Sequence, residues 1–84
     1  VSGTSKGKTP RQRELGRRIR EMRDDRSMSQ EALALSADVH RTYIAQLESG
    51  MRNPSLETTA KLALALGVDV ADLVGGLQSW PGRE

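Results

Sequence analysis

The 84 residues carry a net charge of +2 and make one small domain at most. With no cysteine there is no disulfide or thiolate metal site, and a single histidine, His40, leaves no cluster for a catalytic metal. Phe is absent and Tyr43 and Trp80 are the only aromatic residues, so any core is aliphatic.

The charge is uneven along the chain. Residues 1–26 hold nine Lys and Arg against four Asp and Glu, residues 27–54 two against three, and residues 55–84 two against four. A basic front on a near-neutral body suits a polyanion such as nucleic acid, and equally a solvated, charge-rich first helix. Residues 1–8 have no large apolar side chain after Val1 and read as a flexible basic arm. Lys6, Lys8, Arg11 and Arg13 are placed to follow a phosphate backbone. Residues 9–76 form the body and residues 77–84 a C-terminal tail.

Thr9 caps the first helix, Pro10 suits its first position, and Gln12 completes a capping box. Leu15, Ile19 and Met22 make one apolar stripe, with Arg13, Arg17, Arg20 and Glu21 largely off it, and the helix fades near Asp25-Arg26. Ser29 caps a short second helix from Gln30 to about Ser36, with Glu31 near its positive end. A break over Ala37-Asp38-Val39-His40 leads to a third helix that stops at Ser49-Gly50. Ser55 caps a fourth, with Leu56, Ala60, Ala63 and Leu64 expected on the buried side and Gly67 at its end. Asp69, with Asp72 at the boxed position, opens a fifth that carries Val70, Leu73 and Val74 and closes at Gly75-Gly76. Pro81 stops any helix in the tail. Nothing alternates with period two and nothing repeats, so the domain is all-α.

The second and third helices have the requirements of a helix-turn-helix at about residues 30–49. Leu33, Ile44 and Leu47 are apolar where the helices pack, and Ala34 is small where they cross. The turn needs a residue tolerant of positive φ; Asp38 stands there, less favourable than Gly but acceptable. Val39 plugs the turn into the core.

The segment from Ser29 to Ala34, the run Arg41-Thr42-Tyr43-Ile44-Ala45-Gln46-Leu47-Glu48-Ser49-Gly50, then Arg52-Asn53-Pro54-Ser55 and Leu62 to Val68 together resemble the Cro/cI-type (XRE) helix-turn-helix family. The resemblance covers about residues 14 to 75. Arg41-Thr42-Tyr43 and Arg52-Asn53 are similar, more weakly, to the controller proteins of restriction–modification systems. The family implies a compact five-helix bundle of the lambda-repressor-like type, a homodimer on a palindromic operator, and a transcriptional regulator acting as repressor or autoregulator.

Position by position, the resemblance makes Arg41, Thr42 and Gln46 base-reading residues. Arg41 has the fork that matches guanine O6 and N7, although the same side chain also suits a phosphate. His40, at the third helix's cap position, is a further DNA-facing residue without a switching role. Ser29, Gln30, Tyr43, Arg52 and Asn53 fall at backbone-contact positions, Tyr43 equally able to touch a thymine methyl or simply to cover the helix junction. Arg23 and Glu48 match an ion pair that ties the first helix to the third; as an exposed pair it would add only ~0–1 kcal/mol.

Leu73, Val74, Leu77 and Trp80 form an apolar cluster expected to build the homodimer, with Trp80 alternatively folding over its own bundle. Two other classes stay open: a protein-interaction module such as an antitoxin, for which the tail is short, and the DNA-binding head of a longer regulator. An enzyme is disfavoured, since no Ser/His/Asp or Cys/His set exists. No cofactor or small-molecule ligand is implied. The longest apolar stretch, Leu62 to Val68, is seven residues, against the roughly 20 that span a bilayer. With no leader pattern either, the expected location is cytoplasmic.

Overall fold

The computed structural model describes residues 9–81, which form helices and connecting turns with no strand among the described residues. Helix α1 runs Pro10–Asp25, α2 Gln30–Ala37, α3 Arg41–Glu48, α4 Leu56–Leu66 and α5 Val70–Val74, followed by a short 3-10 helix over Leu77–Ser79. The starts of α1, α2, α4 and α5 are set by side chains. Thr9 Oγ1 accepts from the Gln12 N–H at 3.2 Å while Gln12 Oε1 accepts from the Thr9 N–H at 3.3 Å. Ser29 and Ser55 cap α2 and α4 through the N–H groups of Ala32 and Thr58, at 2.9 and 3.1 Å. At α5 the Asp69 N–H donates to Asp72 Oδ2 at 3.0 Å.

The first four helices all end in the same way. Ser27, Asp38, Gly50 and Gly67 adopt left-handed φ values of 55°, 58°, 83° and 72°. Each turns the chain so that the next N–H reaches a carbonyl five residues back: Met28 to Arg23, Val39 to Ala34, Met51 to Gln46 and Val68 to Ala63, at 2.8–3.0 Å. Met28, Val39 and Val68 then pack on the core. Asp38 therefore takes the conformation the turn requires, and Val39 plugs it.

Ile19, Leu33, Ile44, Leu47, Leu62 and Leu73 are the large side chains fully withdrawn from solvent, at least one from each of the five helices. Helix α1 packs on α3 and α5, while α2 packs on α3 and α4. The α1–α3 approach is close at Gly16: a Cβ there would collide with the Leu47 carbonyl oxygen and lie 2.8 Å from that of Glu48.

One buried face differs from expectation. In α4 the residues turned inward are Thr59, Leu62, Ala63 and Leu66, whereas Leu56 and Leu64 are 77% and 84% exposed and Ala60 is open. Large and small apolar side chains lie on two sides of the helix, so either stripe offers a core face. Thr59 can go inside because its hydroxyl donates to the Ser55 carbonyl at 2.8 Å.

The chain after α5 folds back on α1. Arg11 donates to the carbonyls of Leu77 and Gln78 at 2.6 and 2.8 Å. Arg18 donates to those of Leu73 and Gly75 at 3.0 and 2.9 Å, and its guanidinium lies 5.7 Å from the centre of the Trp80 ring. Leu73 is thus buried in its own bundle and not available to a second copy. Arg11, expected on a phosphate path, is committed to the 3-10 helix. Lys6, Lys8 and the rest of the 1–8 arm lie outside the described residues.

Candidate nucleic-acid interface

Helix α3 is two turns long and two-faced. Ile44 and Leu47 point into the core, with 0% and 1% exposure, while Arg41 and Thr42 are exposed and Gln46 is half-buried on the other side. With 3.6 residues per turn, Thr42 and Gln46 fall one above the other on the outward face. His40 holds the N-cap position in extended backbone, exposed, with no cap bond from its side chain. Its carbonyl accepts from the Tyr43 and Ile44 N–H groups at 3.0 and 3.2 Å, while the imidazole does no capping and stands free beside Arg41. Among the described residues no protein oxygen holds the Arg41 guanidinium.

Beneath this face lies a braced carboxylate. Arg23 Nε and Nη2 donate to Glu48 Oε2 and Oε1 at 2.6 and 3.0 Å, and the two side chains are only 11% and 5% exposed. Arg23 Nη1 also donates to the Met28 carbonyl at 2.7 Å, and Gln30 Nε2 donates to Glu48 Oε1 at 3.0 Å. The hydrogen bonds from Arg23 to Glu48 hold the guanidinium above its ordinary pKa against the desolvation that opposes them. The pair is not the exposed one assumed from the sequence; it joins α1, the turn after it, the start of α2 and the end of α3. Gln30, expected on a phosphate, gives an amide N–H to this brace. Ser29 is exposed, its oxygen serving as the α2 cap.

A second constellation sits on the flank of α3. Arg52, from the loop between α3 and α4, donates from Nε to Gln46 Oε1 at 2.8 Å, and its guanidinium lies over the Tyr43 ring, 5.4 Å from the centroid. Asn53 beside it is exposed. The structure therefore brings Tyr43, Gln46 and Arg52 into one cluster, and Arg23, Gln30 and Glu48 into another. It leaves His40, Arg41, Thr42, Ser29 and Asn53 free of side-chain partners outside their own helix ends. The Gln46–Arg52 contact was not anticipated, because the two stand six positions apart across a left-handed turn at Gly50. Gly16 was missed too, although a lone glycine inside a helical pattern is itself a sign of close backbone approach.

Most of the basic charge of α1 is spent within the fold. Arg17 and Arg18 both bind the buried carboxylate of Glu14, at 2.9 and 2.8 Å, and Arg17 also reaches Glu21 at 2.9 Å. The hydrogen bond from Arg17, helped by that from Arg18, holds Glu14 below its ordinary pKa despite burial, and Arg17 is raised in turn. Among the described residues no group of three or more His, Cys, Asp or Glu is placed to hold a metal, and no helix is long and apolar enough to cross a membrane.

A helix-turn-helix family model matches residues 19–73. The control protein C.BamHI of Bacillus amyloliquefaciens is 48% identical over 61 residues, 71% of this chain and 75% of that protein. The crystal structure of the restriction–modification controller protein C.AhdI from Aeromonas hydrophila superimposes with a TM-score of 0.71 at 39% identity, covering 73% of this chain and 92% of that one. The master regulator for biofilm formation SinR, solved in complex with DNA, gives a TM-score of 0.68 at 32% identity, over 70% of this chain and 95% of that one. The chain spans 42% and 50% of the length of two further relatives, a phage immunity repressor and a transcriptional regulator.

Proposed function

The chain belongs to the helix-turn-helix family, and we propose on that footing that it works in the cytoplasm as a homodimer on a palindromic operator, reading it with the side chains that α3 leaves outward. It binds double-stranded DNA sequence-specifically and regulates transcription, α3 entering the major groove. The observation that carries this reading is the two-faced α3: its inner side chains anchor it rigidly while Arg41, Thr42 and Gln46 project from the other side. Arg41 reads guanine through O6 and N7, with Thr42, Gln46 and His40 adding base contacts. Ser29, Gln30, Tyr43, Arg52 and Asn53 meet the sugar–phosphate backbone, which fixes register. Repression or autoregulation follows where the operator overlaps a promoter.

The homodimer is supported by a different surface from the C-terminal cluster. Leu56, Ala60 and Leu64 recur every fourth residue on the open side of α4, an apolar stripe that a second copy would cover. The partial coverage of the longer relatives favours a second reading, the same DNA-binding unit as the head of a longer regulator, which changes its control but not its target.

Selection from random duplexes at fixed salt tests both levels. The expected result is an enriched palindrome whose half-sites lie about one turn, ~34 Å, apart. Binding that enriches no sequence would contradict the reading.

A further inference from the structure

Arg52 is bound to an outward-facing side chain of α3, and the chemistry of that contact constrains what α3 presents. A guanidinium has donors only, so the Gln46 amide must turn its oxygen, and not its nitrogen, toward Arg52. The Arg52 guanidinium is itself seated over Tyr43, one turn back on the same flank. With Oε1 drawn to that side, the amide nitrogen is left with no protein partner among the described residues, its N–H groups free to donate.

We infer that Arg52 is a positioning residue for base recognition: by holding Gln46 Oε1, with Tyr43 as its seat, it sets Gln46 to donate to an acceptor on a major-groove base edge. This rests on the DNA-binding reading above and changes the part Arg52 plays in it, from backbone clamp to determinant of specificity. Guanine offers O6 and N7 and thymine offers O4; adenine offers N7 but sets its N6 donor beside it, against an amide that presents only N–H groups, and cytosine offers only the N4 donor. The two-bond glutamine–adenine pairing needs both amide atoms on the base edge, so an oxygen turned to Arg52 disfavours it. One oriented hydrogen bond corresponds to a preference of roughly 2- to 12-fold at that base pair.

The test is the base-preference profile of the wild type, Arg52→Ala, Gln46→Ala and the double variant, each selected from random duplexes at the same salt. Arg52 is exposed and Gln46 half-buried, and matched thermal unfolding checks that all four proteins are folded. Gln46→Ala identifies the base pair that Gln46 faces by flattening it. The wild type is expected to favour guanine or thymine there, Arg52→Ala to lose that preference at the same base pair and admit adenine, and the double variant to match Gln46→Ala. Arg52→Ala that weakens all sequences equally, with the profile intact, overturns the inference and leaves Arg52 a phosphate contact. Adenine selected by the wild type at that position overturns it as well. If the wild type enriches no sequence at all, the DNA-binding reading falls first and this inference with it.

Discussion

Arg23 and Glu48 hold one another through two hydrogen bonds, and the worth of such a pair depends on how dry it is. On an open surface it would add ~0–1 kcal/mol. Here both side chains are nearly buried and Glu48 also accepts from Gln30, so removing one partner strands a charge, a loss of about 3–5 kcal/mol. Glu48→Ala is expected to lower stability by that order in urea unfolding, and a loss under ~1 kcal/mol would return the pair to the surface class. The two partners were legible in the sequence through their register in the family pattern. Their burial was not, because it is made by the Met28 turn and the start of α2 closing over them. The Gln46–Arg52 bond was illegible for a related reason: it depends on where the loop after Gly50 carries Arg52, and residue types alone do not say.

Helix boundaries were the most legible part of the fold, since they depend on local chemistry. The caps at Thr9, Ser29 and Ser55 and the stops at Gly50 and Gly67 each use a side chain or a missing Cβ that the sequence displays. Ser27 escaped notice because serine does not advertise a left-handed turn, although the residue after it, Met28, is apolar like Val39 and Val68 in the equivalent places. Faces were harder. The inward side of α4 could not be chosen from spacing alone, because the expected set Leu56, Ala60, Ala63 and Leu64 and the buried set Leu62, Ala63 and Leu66 are both apolar stripes and share only Ala63. Where backbones nearly touch, the sequence constraint is sharp. Gly16→Ala would drive a methyl group into the Leu47 and Glu48 carbonyls, and an overpacking loss of roughly 1–3 kcal/mol should outweigh the gain of about 1 kcal/mol from better helix propensity. Thermal unfolding of this variant is expected to show a lower midpoint; an unchanged or higher one would mean that α1 and α3 have room to part.

At the scale of the whole molecule, five of the seven arginines in the described part of the basic front are wired into the fold. Arg11, Arg17, Arg18, Arg23 and Arg26 all bind protein oxygens, so fewer guanidinium groups stand free for a polyanion than the number of basic residues suggests. Glu14, at the centre of this wiring, has a folded pKa below its ordinary value near 4.5. Its contribution is therefore present above that value and is lost as pH falls below it toward the depressed folded pKa. Acid titration of stability should show a steeper loss in that window for the wild type than for Glu14→Gln; parallel curves would remove Glu14 as a source of acid sensitivity. Assembly is tested on α4, where Leu64→Asp leaves the monomer's core untouched. It is expected to shift sedimentation toward monomer and weaken operator binding, and a dimer as tight as the wild type would move the interface elsewhere. Whether α3 reads base edges in the major groove can be decided at a single atom. The selected operator is compared with one in which the half-site guanine is 7-deazaguanine, which lacks the N7 acceptor, using the wild type and Arg41→Ala. The wild type is expected to lose about tenfold or more in affinity on the altered duplex, within the ~1–3 kcal/mol of a bidentate contact, while Arg41→Ala binds both duplexes alike. Wild-type binding that is indifferent to the N7 atom at every guanine of the half-site would contradict it.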